Sequence, residues 1–256
     1  MTRFSLIAAE IGLVLGAVNF NAAENGLARV PVLLELFTSE GCSSCPPADR
    51  LLEGLDQKQP LAGADLIVLS EHVDYWNNLG WKDPYSSAQF TTRQQDYTQK
   101  YNLDGVYTPQ LVIDGRFGVV GSDSRAVSGA VQKAISERKI PIAVSNAVRK
   151  LNEVVARVEI PAEQNRTGSR GVLYVVLAEN RAESHVAHGE NSGRFLAHVA
   201  VTRVLRQVGE VDLSRASTKD VSLAVQPGAG ANGLRVVAFI QDPRSGRVLG
   251  VAEQKI

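Results

Sequence analysis

Cys42 and Cys45 enclose Ser43 and Ser44 and are the only cysteines among 256 residues. A pair this close closes too short a loop to restrict the unfolded chain much, so its value is chemical rather than structural. The thiolate is the species that attacks a disulfide. A cysteine in a C-x-x-C motif at a helix start titrates at roughly 3.5–7.5 rather than about 8.5. Pro46-Pro47-Ala48-Asp49-Arg50-Leu51-Leu52 suits a first helical turn, where missing N–H groups cost little. Cys42 then meets unpaired N–H groups and the positive end of the helix dipole. Cys45 follows one turn later on the same face. This makes Cys42 the nucleophile and Cys45 the resolving thiol. The other use of the same residues is an inert, permanently oxidised pair.

Further candidates lie around the pair. Glu35 stands in the otherwise apolar run Val30–Phe37. A buried carboxylate has a raised pKa and can move protons for a thiol; a Glu at a strand edge, facing solvent or paired, is the plainer use. His72 follows a second apolar run, Asp65–Glu71, where catalytic groups gather at the carboxyl ends of parallel strands. It is a candidate to support the Cys42 thiolate, or a hydrogen-bonded structural histidine. Trp76 and Trp81, with Asp74 and Tyr75, either line a groove over the cysteines or form the core of their own insertion. His185, His188 and His198 have no metal-ligand spacing and read as surface or sandwich residues. A structural zinc lacks a fourth obvious ligand, so no metal or other cofactor is expected.

The elements that must hold these residues follow from patterning. Apolar runs at 30–37 and 65–71 read as strands buried on both faces. Residues 86–101 read as a helix, Gln110–Asp114 and Phe117–Val120 as a hairpin around Gly115-Arg116, and 123–138 as a helix capped by Ser122 or Asp123. The order is β-α-β-α-β-β-α. From Ile140 on, strand-like segments at 142–148, 154–160, 172–178, 196–208, 221–225, 234–242 and 248–252 alternate with turn residues. That succession suggests a β-sandwich, with a boundary near residue 140.

A buried strand, a C-x-x-C at a helix start and Thr108-Pro109 before the third strand resemble the thioredoxin fold. The strings LFTSEGCSSCPPAD, HVDYWNNLGWKDPYSS, YTPQLVIDG, GENSGR and VVAFIQD resemble the bacterial secreted family catalogued as domain of unknown function 1223. The resemblance implies an α/β thioredoxin-like fold, so the chain reads as that domain over 24–139 followed by the all-β, sandwich-like domain over 140–256 that the strand pattern suggests. It also implies that Pro109 is cis, lies against the cysteines and exposes the Thr108 backbone to an extended peptide. Gly41 departs from the pattern, since thioredoxins commonly place Trp there. The Ser-Ser pair between the cysteines leaves the direction of electron flow open.

Lys plus Arg equals Asp plus Glu, 27 against 27, which argues against a nucleic-acid partner. Arg3, the apolar run Ile11–Phe20 and the small residues Ala22 and Ala23 read as a signal peptide over 1–23. The run is too short for a stable membrane anchor. The expectation is a bacterial periplasmic or secreted thiol–disulfide oxidoreductase acting on a protein or small thiol or disulfide. Two other readings use the same residues. One is a copper-handling protein with two thiolates and His72; the other is a non-catalytic binding module.

Overall fold

The computed structural model describes residues 29–101, 104–163 and 169–256; the signal peptide expected over 1–23 lies outside them. Eleven strands and three helices follow in order: β1 (Val30–Thr38), α1 (Pro46–Lys58), β2 (Ala64–His72), α2 (Ala88–Lys100), β3 (Gln110–Ile113), β4 (Phe117–Val120), α3 (Ser124–Ala134), β5 (Ala143–Lys150), β6 (Glu153–Ile160), β7 (Arg170–His185), β8 (Phe195–Asp212), β9 (Ser217–Ala224), β10 (Leu234–Gln241) and β11 (Val248–Lys255). Local chemistry sets the helix starts. Pro46 and Pro47 open α1, the Ser87 hydroxyl accepts from the Gln89 N–H at α2, and the Asp123 carboxylate accepts from Arg125 and Ala126 at α3.

The strands join differently from the two-domain expectation. One eight-stranded mixed sheet runs β11-β10-β7-β8-β2-β1-β3-β4, so strands from both sides of residue 140 belong to it. β1 and β2 are parallel, β1 and β3 antiparallel, and β2 meets β8 in parallel at Ser70 and Val201. Among the described residues strand accounts for 45% and helix for 17%, so the fold is mostly β. The expected thioredoxin-like α/β domain with a separate sandwich is therefore incorrect. The physical reason is that an apolar run reports burial, not which strand it pairs with. The outer edge of β2 is covered by β8 instead of ending a domain.

Alternation along the strands divides the core. Val32, Leu34 and Leu36 of β1 pack with Ala48 and Leu52 of α1 and Val127 and Val131 of α3. Leu33 packs instead with Phe90 of α2, Val176 of β7 and Phe239 of β10. Leu173, Val175 and Leu177 of β7 face the second sheet, β5-β6-β9, through Val154, Val158 and Leu223. Helix α1 also bridges the former boundary with one acidic face. Asp49 faces His198 of β8, Glu53 pairs with Arg181 of β7 at 2.7 Å, and Asp56 takes a bidentate contact from Arg235 of β10 at 2.8 and 3.0 Å. Spacings of four and three residues place these acids on one helical stripe.

Candidate functional site

β1 ends at Thr38, and the chain turns through Ser39-Glu40-Gly41 into the cysteine loop. The Cys42 N–H donates to the Ser39 carbonyl at 3.1 Å and the Cys45 N–H to the Cys42 carbonyl at 3.2 Å. Cys45 is the N-cap of α1. The two cysteines form a disulfide with Cα atoms 5.4 Å apart. Both are buried, while Ser43 and Ser44 between them are exposed. The helix start is less rich in free donors than expected. Pro46 and Pro47 carry no N–H, and the Ser43 N–H donates to Glu190 Oε2 at 3.0 Å. The side-chain donor beside Cys42 Sγ is the Ser44 hydroxyl, 3.3 Å away.

The Thr108–Pro109 peptide is cis, as the resemblance implied. The Ser44 hydroxyl donates to the Thr108 carbonyl at 3.5 Å, and the Trp76 indole N–H to Thr108 Oγ1 at 2.9 Å. Gly41 has a packing reason: a Cβ there would stand 3.0 Å from the Trp76 Cβ. Trp76 thus holds the space beside Cys42 that a residue-41 side chain would otherwise fill. Trp81 donates its indole N–H to Glu40 Oε2 at 2.8 Å. It also packs on Gly189, whose Cβ would come within 3.2 Å of the Trp81 Cβ. The insertion therefore grips the cysteine loop on one side and the GENSGR turn on the other. Asn191 in that turn donates to the carbonyls of Glu40 at 2.8 Å and Cys42 at 2.9 Å.

His72 reaches an acid rather than the sulfurs. Its Nδ1 lies 2.7 Å from Asp83 Oδ2, which also accepts the Glu40 N–H at 2.8 Å. Burial alone would raise the Asp83 pKa; the adjacent His72 and the N–H groups of Glu40 and Tyr85 bring it below the usual carboxylate value. The His72 ring packs edge-on to the His198 ring, with centroids 4.6 Å apart. His198 Nε2 is 3.3 Å from Glu40 Oε1, which also accepts from the Ser184 hydroxyl. His198 Nδ1 stands 3.7 Å from Asp49 Oδ1, an ion-pair distance too long for a hydrogen bond. Asp49 accepts from the Thr38 hydroxyl at 3.0 Å. Burial opposes a charge on His198, but Asp49 and Glu40 outweigh it and push the imidazole up to about 10.

Glu35 sits elsewhere. It lies on the α2 side of β1, where Arg93 Nε donates to Oε1 and the Tyr97 hydroxyl to Oε2, both at 2.6 Å. Glu71 is buried beside it, with Arg93 Nε 3.8 Å away. Burial and then the neighbouring Glu35 push Glu71 well above the carboxylate range. The cysteine side and the Glu35 side are thus separate clusters.

Sequence reasoning named the cysteines, Thr108, Pro109 and the tryptophans but missed Glu40, Asp49 and Asp83. It also misplaced His198, which is buried in the site and not a surface or sandwich residue. Asp49 had a readable signal, four residues after Cys45 on the same helix face. His198 had none. Ala200 adopts a left-handed φ of 48°, so strand alternation breaks and His198, Val199 and Ala200 are all buried.

The family described as protein of unknown function (DUF1223) matches residues 33–241. This chain belongs to the DUF1223 family. The match includes every site residue named above. A structural-genomics protein from Agrobacterium tumefaciens shares 28% identity with this DUF1223 chain and a TM-score of 0.66, covering 88% of this chain and 94% of that one. HBP35 of Porphyromonas gingivalis reaches a TM-score of 0.67 over 90% of this chain and 76% of its own, at 14% identity, a likeness of fold alone. No curated protein matches the chain. Among the described residues, no three His, Cys, Asp or Glu side chains converge as a metal site, and no helix is long and apolar enough to cross a membrane.

Proposed function

We propose that this DUF1223 protein is an exported thiol–disulfide oxidoreductase in which Cys42 is the exchanging sulfur and Cys45 the resolving one. The observation that carries this reading is the disulfide itself. It closes across the exposed Ser43-Ser44 turn at the start of α1, beside the cis Thr108–Pro109 peptide. A structural cross-link gains most from closing a long loop, and this one spans a sequence separation of 3. The Ser44 hydroxyl beside Cys42 is a donor suited to a thiolate. The half-buried Thr108 and Trp76, joined by a hydrogen bond, form the adjacent substrate wall. The apolar run within residues 1–23 supports export, where a disulfide persists.

The test is equilibration of the purified protein with glutathione buffers, followed by brief alkylation and mass mapping. We expect a reversible two-electron transition and preferential labelling of Cys42 in the reduced protein near neutral pH. Cys42→Ser should abolish exchange with a small disulfide. A pair that neither reduces nor reoxidises while the protein stays folded sinks the reading. Preferential labelling of Cys45 reverses the two roles.

A further inference from the structure

The GENSGR turn joins β7 to β8 and is held in one conformation. The Val186 N–H donates to the Arg194 carbonyl at 3.0 Å, and the Gly193 N–H returns to the Val186 carbonyl at 2.8 Å. The Ser192 N–H donates to the Gly189 carbonyl at 3.1 Å. Gly189 takes a left-handed φ of 76° where the chain passes Gly80 and Trp81. Buried Asn191 pins the turn to the cysteine loop through two carbonyls. Glu190 is therefore fixed, and its exposed carboxylate caps the Ser43 N–H, the backbone donor immediately after Cys42. The Ser43 side chain and then its N–H hold the Glu190 carboxyl below its usual pKa. Among the described residues no Lys, Arg or His lies within ion-pair distance of Glu190. The mouth of the disulfide thus carries a carboxylate with no ion-pair partner among the described residues, on a turn tied down by backbone and Asn191 hydrogen bonds.

We propose that Glu190 is a specificity-determining residue that favours disulfides flanked by cationic groups and disfavours anionic ones such as oxidised glutathione. This inference rests on the thiol–disulfide reading above. In the step concerned, the Cys42 thiolate attacks one sulfur of the substrate disulfide. A Cys42–substrate S–S bond forms, the substrate S–S bond breaks, and the departing thiolate takes a proton from water. Cys45 gives its proton to water and attacks Cys42 Sγ, releasing the second substrate thiolate. The cysteine pair is oxidised by two electrons and the substrate disulfide is reduced to two thiols. An incoming charge near Cys42 approaches within several Å of Glu190 in partly aqueous surroundings. There a unit charge pair changes rates by a factor of about two to four, and the contrast between cation and anion is about five- to tenfold at low salt.

The experiment uses the full chain, chemically reduced and freed of reductant, mixed with cystamine (cationic), oxidised glutathione (anionic) or bis(2-hydroxyethyl) disulfide (neutral). Each rate is normalised to that of the neutral probe, which cancels any change in Cys42 reactivity. In the wild-type protein at low ionic strength the cystamine-to-glutathione ratio is expected to exceed that of Glu190→Gln by about five- to tenfold. Gln keeps an oxygen able to accept from Ser43. Near 1 M salt, where the screening length is about 3 Å, the two proteins should converge. Glu190→Ala is expected to behave as Glu190→Gln does, which excludes an effect of side-chain shape. Two disulfide-linked peptides, one flanked by lysines and one by glutamates, should reproduce the contrast on a peptide. A ratio unchanged by Glu190→Gln, or a salt-independent one, overturns the assignment of Glu190. If the reduced wild-type protein reacts with none of the three probes, the thiol–disulfide reading fails and this inference with it.

Discussion

At the carboxyl ends of β1 and β2, the acids Glu40, Asp49 and Asp83 face the imidazoles of His72 and His198. On the α2 side of the same strands, Glu35 and Glu71 share the guanidinium of Arg93, which also lies over the Tyr97, Tyr174 and Phe239 rings at 5.0–5.3 Å. Both clusters bury acids that would be costly without a counter-charge. The counter-charges differ in kind. A guanidinium stays charged at every working pH and presents a rigid fork, so the Arg93 cluster is a fixed strut between α2, β1 and β2. An imidazole titrates, and the His198 cluster touches the backbone and first helical turn that carry the disulfide. One region holds the sheet together; the other ties the disulfide loop to β8 with a charge that responds to pH.

The sharpest way to break this comparison is Arg93→Met. It leaves Glu35 buried with only Tyr97 as donor, and we expect a loss of about 3–5 kcal/mol in urea unfolding. Alkylation of Cys42 in the folded, reduced protein should stay unchanged. A large change in alkylation would show that the two clusters act as one.

His198→Gln is expected to cost less, about 2–4 kcal/mol, because Asp49 keeps its Thr38 partner and Glu40 keeps Trp81 and Ser184. Unlike Arg93→Met, it should raise the apparent pKa of Cys42. It removes a positive charge between Glu40, two residues before Cys42, and Asp49, four residues after Cys45. Thiolate absorbance followed against pH measures this, and identical titrations would confine His198 to a packing role.

The same imidazole gives the pH dependence its sign. Its folded pKa of about 10 stands above the unfolded value of about 6.5. The stabilisation is therefore complete below about pH 6.5 and is lost as pH rises toward 10. Urea midpoints from pH 6 to 10 should fall more steeply in the wild type than in His198→Gln. Parallel curves would show that His198 does not carry this charge. The smallest effect is expected from Gly41→Ala. The new methyl group meets Trp76 at 3.0 Å, and a loss of about 1 kcal/mol in thermal or urea unfolding follows if Trp76 must shift. No loss would mean that Trp76 yields freely and does not brace the loop.

Much of this was legible along the chain. The cysteine spacing, the two prolines, the apolar runs of β1 and β2 and the polar-to-apolar alternation after residue 140 are local signals, and local signals fix element type. The apolar pattern of β7 ends near Ala178, yet the strand runs to His185. Its polar tail carries Arg181 and Ser184, which meet Glu53 and Glu40. Partnership was not legible. Asp49, Glu53 and Asp56 are spaced as one helical face, but nothing in their order says that His198, Arg181 and Arg235 lie opposite.

The sequence by itself determined the cysteine pair and the helix it starts, because these depend on residues close in the chain; the cis Thr108–Pro109 neighbour was implied only by the family resemblance. Only the tertiary structure decided that β8 joins β2, that Glu35 turns away from the cysteines and that His198 turns toward them. Those outcomes depend on which face of a strand meets which distant surface, and on one left-handed residue, Ala200, that interrupts alternation. Charges separated by 149 positions, such as those of Asp49 and His198, become neighbours at 3.7 Å only when the sheet closes across the middle of the chain.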